Sequence, residues 1–244
     1  MDGLLAEALR AHGGEERWAG VDEVVFHARS GGFALLSKGR ARDVREYTAR
    51  VSARTVRTVF EDWPAPGRTG VFEPDRVWIE DAGGEVVAER RDPRAAFGGR
   101  RNLWWDRLDL LHFAGYALWG YMTQPFLFAR PGFEAREVEP WDEGGEPRRR
   151  LRVTFPPDVP AHSRVQDFHL DGEGRIRRND YTAEVFGSWA KGAHYSDEHR
   201  EFGGLLFPTR RRVYPRARSG RRRPAPLLVR IDLDSVEPVS APAR

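Results

Sequence analysis

The sequence predicts an α+β protein: a single curved antiparallel sheet, an incomplete barrel of about ten strands, wrapped around a central apolar helix. Three observations carry this. Short segments rich in Val, Thr, Phe and Tyr recur along the chain, separated by Gly, Pro and Asp turns. Only one stretch, residues 103–123, changes to helical spacing, with Trp104, Leu108, Leu111, Ala114 and Leu118 falling on one side. Nowhere do strands alternate with helices as parallel βαβ units require, so the sheet is antiparallel. No linker-like shift in composition interrupts the 244 residues, and a single half-barrel domain over 1–244 is expected.

An amphipathic helix opens the chain within residues 2–11, or 1–14 with its cap: Leu4, Leu5, Ala8 and Leu9 share a side, and Gly13-Gly14 closes it. Residues 15–18 add a turn. Short strands are expected at 21–29, 33–38, 43–51 and 54–61. A hairpin follows in 70–92, its arms 76–80 and 85–90 flanking Asp81-Ala82-Gly83-Gly84. Residues 93–97 read as a helical turn beginning at Pro93. The helix of 103–123 comes next, and Pro125 stops it. Its run from 110 to 129 is nearly apolar all round, yet His112, Gln124, two glycines and Pro125 interrupt it, whereas a membrane span needs about 20 uninterrupted apolar residues. A buried helix inside the sheet, and no membrane span, is expected. Strands resume at 133–139, 149–155, 163–170, 175–186, 191–195, 205–214 and 227–233. Residues 215–226, rich in Pro, Arg and Gly, form an exposed basic loop, and the chain from Pro238 onward a frayed tail.

Composition narrows the function. The 40 basic and 37 acidic residues nearly cancel to a net charge of +3, so the whole-molecule field is weak. Only Lys38 and Lys191 are lysines, an arginine bias that fits a GC-rich coding sequence. The clusters at 148–150, 210–212 and 221–223 lack the interleaved aromatics of a single-strand binder, and no nucleic-acid partner is expected. The absence of Cys excludes disulfides, thiolate metal sites and Cys nucleophiles. No Walker loop, G-x-G-x-x-G or G-x-S-x-G elbow is present, so no cofactor is expected and covalent or nucleotide-dependent catalysis is disfavoured. Asp2 and Glu7 are unlike a secretory signal, which points to the cytoplasm. His12, His27 and His112 stand apart from other reactive groups and read as surface or core residues.

The chemistry-bearing residues concentrate in 151–214, where His162, Gln166, Arg178, Asp180, His194 and Arg211 stand among apolar neighbours. A buried unpaired polar group costs about 1–3 kcal/mol, so such residues either satisfy one another or serve a ligand. By period-two alternation, Phe168 and Leu170 share a face with His162, Arg164 and Gln166, and Ile176 shares one with Arg178, Asp180 and Thr182. If Phe168 and Ile176 face the same apolar side, Gln166 lies near Arg178 and Asp180, while His194 and Arg211 can point into the same pocket. Three readings follow. The group is an internal network that fixes strand register; or it binds an acidic or carbonyl-bearing apolar ligand, Arg178 and Arg211 holding the anion and His162 or His194 moving a proton; or it holds a metal. For the last, the run His194-Tyr195-Ser196-Asp197-Glu198-His199 misses the zincin spacing by one residue, and no metal is expected.

Ala11-His12-Gly13-Gly14 ahead of a Trp and a first strand resembles the opening of the bacterial lipoprotein-carrier (LolA/LolB-like) fold. So does Gly70-Val71-Phe72-Glu73-Pro74-Asp75-Arg76-Val77-Trp78-Ile79-Glu80 with its hairpin. Asp180-Tyr181 and Phe207-Pro208-Thr209-Arg210-Arg211 resemble a set of uncharacterised bacterial proteins of that architecture. The resemblance covers most of the chain in its order of elements, and it implies an unclosed barrel around helices with a cavity for an apolar ligand. The sequence departs from lipoprotein carriers in lacking an export signal and a lipid-attachment Cys. The same fold is similar to a cofactor-free enzyme of indole pigment (violacein) biosynthesis. The expectation is therefore a cytosolic, cofactor-independent enzyme of cyclase, isomerase or lyase type in specialised metabolism. His162, His194 and Asp180 would be catalytic, while Gln166, Arg178, Arg211, Tyr181, Trp119 and Tyr116 would bind an apolar or aromatic small molecule carrying an acid or carbonyl. The alternative is a non-catalytic carrier or binder of an apolar acid or lipid. The sequence does not indicate an oligomeric state.

Overall fold

The computed structural model describes residues 3–240. One antiparallel sheet of thirteen strands dominates it. Its first half is a meander of β1 (Val21–Gly31), β2 (Tyr47–Ser52), β3 (Thr58–Glu61), β4 (Arg68–Phe72), β5 (Arg76–Asp81) and β6 (Val86–Arg91). The second comprises β7 (Glu134–Asp142), β8 (Pro147–Thr154), β9 (Val165–Leu170), β10 (Ile176–Thr182), β11 (Lys191–Phe202), β12 (Leu205–Pro215) and β13 (Val229–Ser240). The spatial order runs from β6 down to β1, then from β13 down to β7. First and last strands thus pair inside the sheet, from Val21 opposite Ser240 to Gly31 opposite Arg230, and the edges β6 and β7 remain unjoined.

The expected class, α+β with one unclosed antiparallel sheet, is what the structure shows; the strand count and the helix need correction. Residues 33–38, expected as a strand, form the short helix α3 (Phe33–Ser37): Gly31-Gly32 ends β1, and Ala34-Leu35-Leu36 are better helix formers than strand formers. The strand expected at 43–51 starts late, because residues 41–46 form turns and bends and β2 begins only at Tyr47. β4 went uncounted, since Gly67 and Gly70 obscure its pattern. β13 continues through Pro238 to Ser240, where a tail was expected; residues 241–244, like Asp2 at the helix start, lie outside the described residues.

The N-terminal helices are α1 (Gly3–Ala11) and α2 (Glu15–Ala19). Leu4, Leu5, Ala8 and Leu9 are buried as their spacing requires, against β7 and β8, and Glu7 pairs with Arg149 at 2.6 Å. Trp18 of α2 stacks on Phe126, ring centroids 4.6 Å apart.

The long helix α4 (Arg107–Thr123) begins four residues later than expected because Asp106 caps it. The Asp106 carboxylate accepts from the Asp109 amide at 2.9 Å and the Asp109 carboxylate from the Asp106 amide at 3.0 Å, a reciprocal box. Arg90 and Arg101 neutralise the fully buried Asp109 at 2.7 and 2.9 Å. Leu103 and Trp104, left outside the helix, are exposed. The helix is not central: it lies along β2–β6, the first half of the sheet, and meets the second half through groups such as the Tyr116 and Tyr121 side chains and the Tyr121 carbonyl. No described helix is long and apolar enough to cross a membrane.

At its closest approach to the sheet the helix carries Gly115, whose carbonyl accepts from Thr58 Oγ1 at 2.9 Å. A Cβ there would fall 2.3 Å from Phe72 Cγ. Gly115→Ala should therefore destabilise by about 1–3 kcal/mol despite the better helix propensity of Ala, at about 2–4 °C of melting temperature per kcal/mol. An unchanged thermal melt would mean that helix and sheet do not meet here.

Candidate functional site

The inner face of the second half of the sheet, with α3 and α4, encloses a cavity of about 480 Å³. Phe113 comes from α4, Tyr181 from β10, Val213 from β12 and Val229 from β13; Phe33 of α3 and Trp189 of the loop after β10 form its rim. Phe33 and Trp189 are 53% and 78% exposed, so two large apolar side chains face solvent at the opening. A narrower recess of about 40 Å³, between α4 and the β1, β2 and β13 side of the sheet, shares Phe113, Tyr181 and Val229 with the larger space. Its other walls, Leu110, Ala117, Leu118 and Ile231 among them, are apolar.

At the back of the cavity His162 is held by three tyrosines. Its Nδ1 lies 3.2 Å from the Tyr116 hydroxyl and its Nε2 2.6 Å from that of Tyr121, while its ring stacks on Tyr181 at 4.1 Å. One hydroxyl donates and the other accepts, as a neutral imidazole requires. Burial, with help from Arg94, pushes the His162 pKa down to about 3, and burial pushes Tyr121 up to about 12. All four groups are therefore neutral near pH 7. His194, opposite Asn179 in the sheet, meets the Tyr121 ring edge-on at 4.6 Å, and neither of its nitrogens has a hydrogen-bond partner among the described residues. Burial, then Arg211, keeps it neutral as well.

Arg211 lies deeper. Its Nη2 donates to the Tyr121 carbonyl at 2.9 Å, its Nη1 to Ser196 Oγ at 3.2 Å, and its guanidinium sits 5.0 Å from the Tyr121 ring. Tyr121 is in the last turn of α4, so the negative end of that helix replaces a carboxylate as counter-charge. Burial lowers the Arg211 pKa to about 10, which leaves it charged. Gln166 donates to the Ser163 carbonyl at 3.1 Å and accepts from Asn179 at 3.0 Å. Trp119 turns away from the cavity, its Nε1 donating to the carbonyls of Thr55 at 2.9 Å and Ser52 at 3.2 Å.

Arg178 and Asp180 are on the opposite, convex face, where the sequence reading did not put them. Ile176 pairs with Leu170 but Arg178 with His169, so Arg177 is an extra residue in β10, a bulge that reverses the alternation after Ile176. Ile176 keeps its place in the core while Arg178 and Asp180 point out, and the expected neighbourhood of Gln166 with this pair is not formed. Instead Arg178 grips Asp180 bidentately at 2.7 and 3.0 Å, and donates to Glu143 and to the Gly220 carbonyl. His169, which sequence reading passed over, brings Nε2 to 3.3 Å from Asp180, and Trp141 covers the Arg178 guanidinium at 5.5 Å. Burial alone would raise the Asp180 pKa, but His169 and Arg178 hold it below the ordinary carboxylate value.

Of the expected site residues, the structure thus brings His162, His194, Tyr116 and Tyr181 together on the inner side, with Arg211 behind Tyr121 and Gln166 alongside. It separates Arg178, Asp180 and Trp119 from them. His194, Glu198 and His199 lie along β11, and no group of three or more potential metal ligands occurs among the described residues. The arginine clusters are largely neutralised: Arg148, Arg149 and Arg150 pair with Glu146, Glu137 and Asp167, and Arg210 and Arg212 with Glu198 and Asp232. Sequence reading missed Phe33, Phe113, Trp189 and the cations at the cavity rim. A Trp in the short connection Gly187-Ser188-Trp189 was the available signal.

No family model and no curated protein matches the sequence. Solved structures do. A DUF1329 family protein from Desulfovibrio piger superposes with a TM-score of 0.58 at 14% identity, over 100% of this chain and 96% of that one. A LolA superfamily protein from Nitrosomonas europaea gives 0.54 at 10% identity over 98% and 93% of the two chains. A domain described as outer membrane lipoprotein-sorting, from Vibrio parahaemolyticus, gives 0.51 at 9% identity over 96% and 91%. These neighbours overturn the reading as a biosynthetic cofactor-independent enzyme, which had rested on the pigment enzyme, and favour the carrier alternative. In the cavity His162 has both nitrogens engaged by tyrosines, and Asp180 is on the far face. The cytoplasmic placement is overturned too, since the Vibrio domain is described by an outer-membrane task. What the geometry and these likenesses establish together is the fold: the chain is a LolA-like half-barrel.

Proposed function

We propose that this protein is a non-catalytic carrier or binder of a lipid or other apolar ligand, acting in the cell envelope. The observation that supports the reading is the apolar cavity of about 480 Å³, a size usual for small-ligand sites. Its aromatic throat at Phe113, Tyr181 and Val229 leads on under α4. Lipoprotein sorting in the Vibrio neighbour supports the envelope placement. Within this reading His162, Tyr116 and Tyr181 form a stiff, uncharged back wall, and Arg211 and His194 belong to its support. A second hollow of about 480 Å³ is lined by Asp92, Arg94, Asp158, Arg164 and Glu184, with Arg94 paired to Glu184 at 2.7 Å, and is too polar for such a ligand.

Native mass spectrometry of freshly purified protein should show a co-purified apolar molecule, and an environment-sensitive lipophilic dye should bind saturably. Val229→Trp fills the throat and should weaken dye binding by about tenfold or more, a loss of about 1.4 kcal/mol, with little change in the thermal melt. Equal dye affinity in the variant, or no saturable binding by the parent protein, would refute the reading.

A further inference from the structure

The cavity just described is apolar inside but not at its rim. Lys191 begins β11, Arg216 follows β12, and Arg223 lies in the loop toward β13; all three line the cavity. Among the described residues no Asp or Glu lines it. Their closeness is fixed by the backbone: the Arg216 amide donates to the Lys191 carbonyl at 2.9 Å, and the Arg223 amide donates to the Pro215 carbonyl at 2.7 Å. The three cations are therefore on adjoining segments at one side of the opening. Arg216 has its Nε 3.7 Å from Asp180, a carboxylate already committed to Arg178 and His169. That Nε is buried without a hydrogen-bond partner among the described residues. Lys191 and Arg223 are exposed.

In a chain whose other arginine clusters are matched by acids, Lys191 and Arg223 have no carboxylate beside them in the described cavity wall, and Arg216 shares its carboxylate, Asp180, with Arg178 and His169, so the rim carries an excess of positive charge that an anion can match. We propose that Lys191, Arg216 and Arg223 form an anion-binding collar for the head group, phosphate or carboxylate, of an amphiphile whose apolar chain occupies the cavity. The inference rests on the carrier reading and adds the chemical class of the ligand. Neither arginine that the sequence suggested for this task can perform it. Arg178 is spent on Asp180 and Glu143 across the sheet, and Arg211 is sealed behind Tyr121. Arg216 provides fixed, partly desolvated charge, whereas Lys191 and Arg223 can follow head groups of different size.

The test compares 1-decanol, decyl phosphate, decanoate and inorganic phosphate by isothermal titration at low ionic strength, below the micellar range. Decyl phosphate and decanoate should bind about tenfold or more tightly than decanol, and the preference should shrink in high salt. Lys191→Ser and Arg223→Ser, both at exposed positions, should each cut the preference severalfold and together nearly abolish it. Two results overturn the collar while the carrier reading survives: equal binding of decanol and decyl phosphate by the parent protein, or an anion preference untouched in the double variant. Inorganic phosphate binding as tightly as decyl phosphate would overturn it in favour of a free-anion site. Should no decyl compound bind, collar and carrier fall together.

Discussion

Arg178→Met should lower the free energy of unfolding by about 3–5 kcal/mol, because removing one member of a buried ion pair leaves the other without compensation. Asp180 is 7% exposed and would keep only His169 and the more distant Arg216. Glu143 would retain the Tyr195 hydroxyl at 2.8 Å but lose its cation, and the Gly220 carbonyl would lose its donor. Arg178→Lys should recover only part of the loss, since an ammonium cannot grip both Asp180 oxygens and reach Glu143 and Gly220 as well. The double variant Arg178→Met, Asp180→Leu should be more stable than Arg178→Met alone, because two apolar groups can replace a buried pair at little cost. Urea unfolding measures all three. If Arg178→Met melts like the parent protein, the convex network carries no stability. The network also fastens the loop of 215–226 to the sheet, so the same substitution should loosen the cavity rim, visible as faster amide exchange there.

Acid should unfold the protein well above the usual carboxylate range. Burial pushes the pKa of His12 down to about 4 and those of His112, His162 and His199 to about 3. Each is neutral when folded, whereas the unfolded chain takes up a proton near the ordinary histidine value of about 6.5. Below that value the unfolded state binds more protons than the folded one, so stability is present at and above pH 6.5 and is lost as pH falls toward the folded values. Each histidine loses about 1.4 kcal/mol by pH 5.5, and four together approach the total stability of an ordinary domain, about 5–15 kcal/mol. His194, whose nitrogens have no partners, adds to the same trend. Urea midpoints at pH 7.5 and pH 5.5 should differ clearly; coincident midpoints would show that these histidines are not shut away from water.

Much of this architecture was legible in the sequence because it depends on local pattern. The Asp81-Ala82-Gly83-Gly84 hairpin, the apolar side of α1 and the stop at Pro125 all follow from the chemistry of a few adjacent residues. The candidate site was only half legible. His162, Tyr116 and Tyr181 converge as expected, since apolar neighbours draw them inward. Arg178 and Asp180 do not, because one extra residue at Arg177 reverses every side chain after it, and a bulge leaves no mark in the composition of a strand. The rim was illegible for a different reason. Lys191, Arg216 and Arg223 lie far apart in sequence and meet only through the pairing of β11 with β12 and the return of the loop across it. Pairing of β1 with β13 was hidden likewise, as no local signal links Val21 to Ser240.

That last pairing constrains how the protein can be made. Contacts closed between the earliest and latest strands carry the greatest loop entropy in the molecule. On the ribosome, the two meanders can each curl as they emerge, but β1 must wait with an open flank until β13 has been synthesised. During that interval one edge of an eleven-residue strand, Val21–Gly31, is available to any other chain. Productive assembly therefore requires that the final strand close on β1 before another chain does.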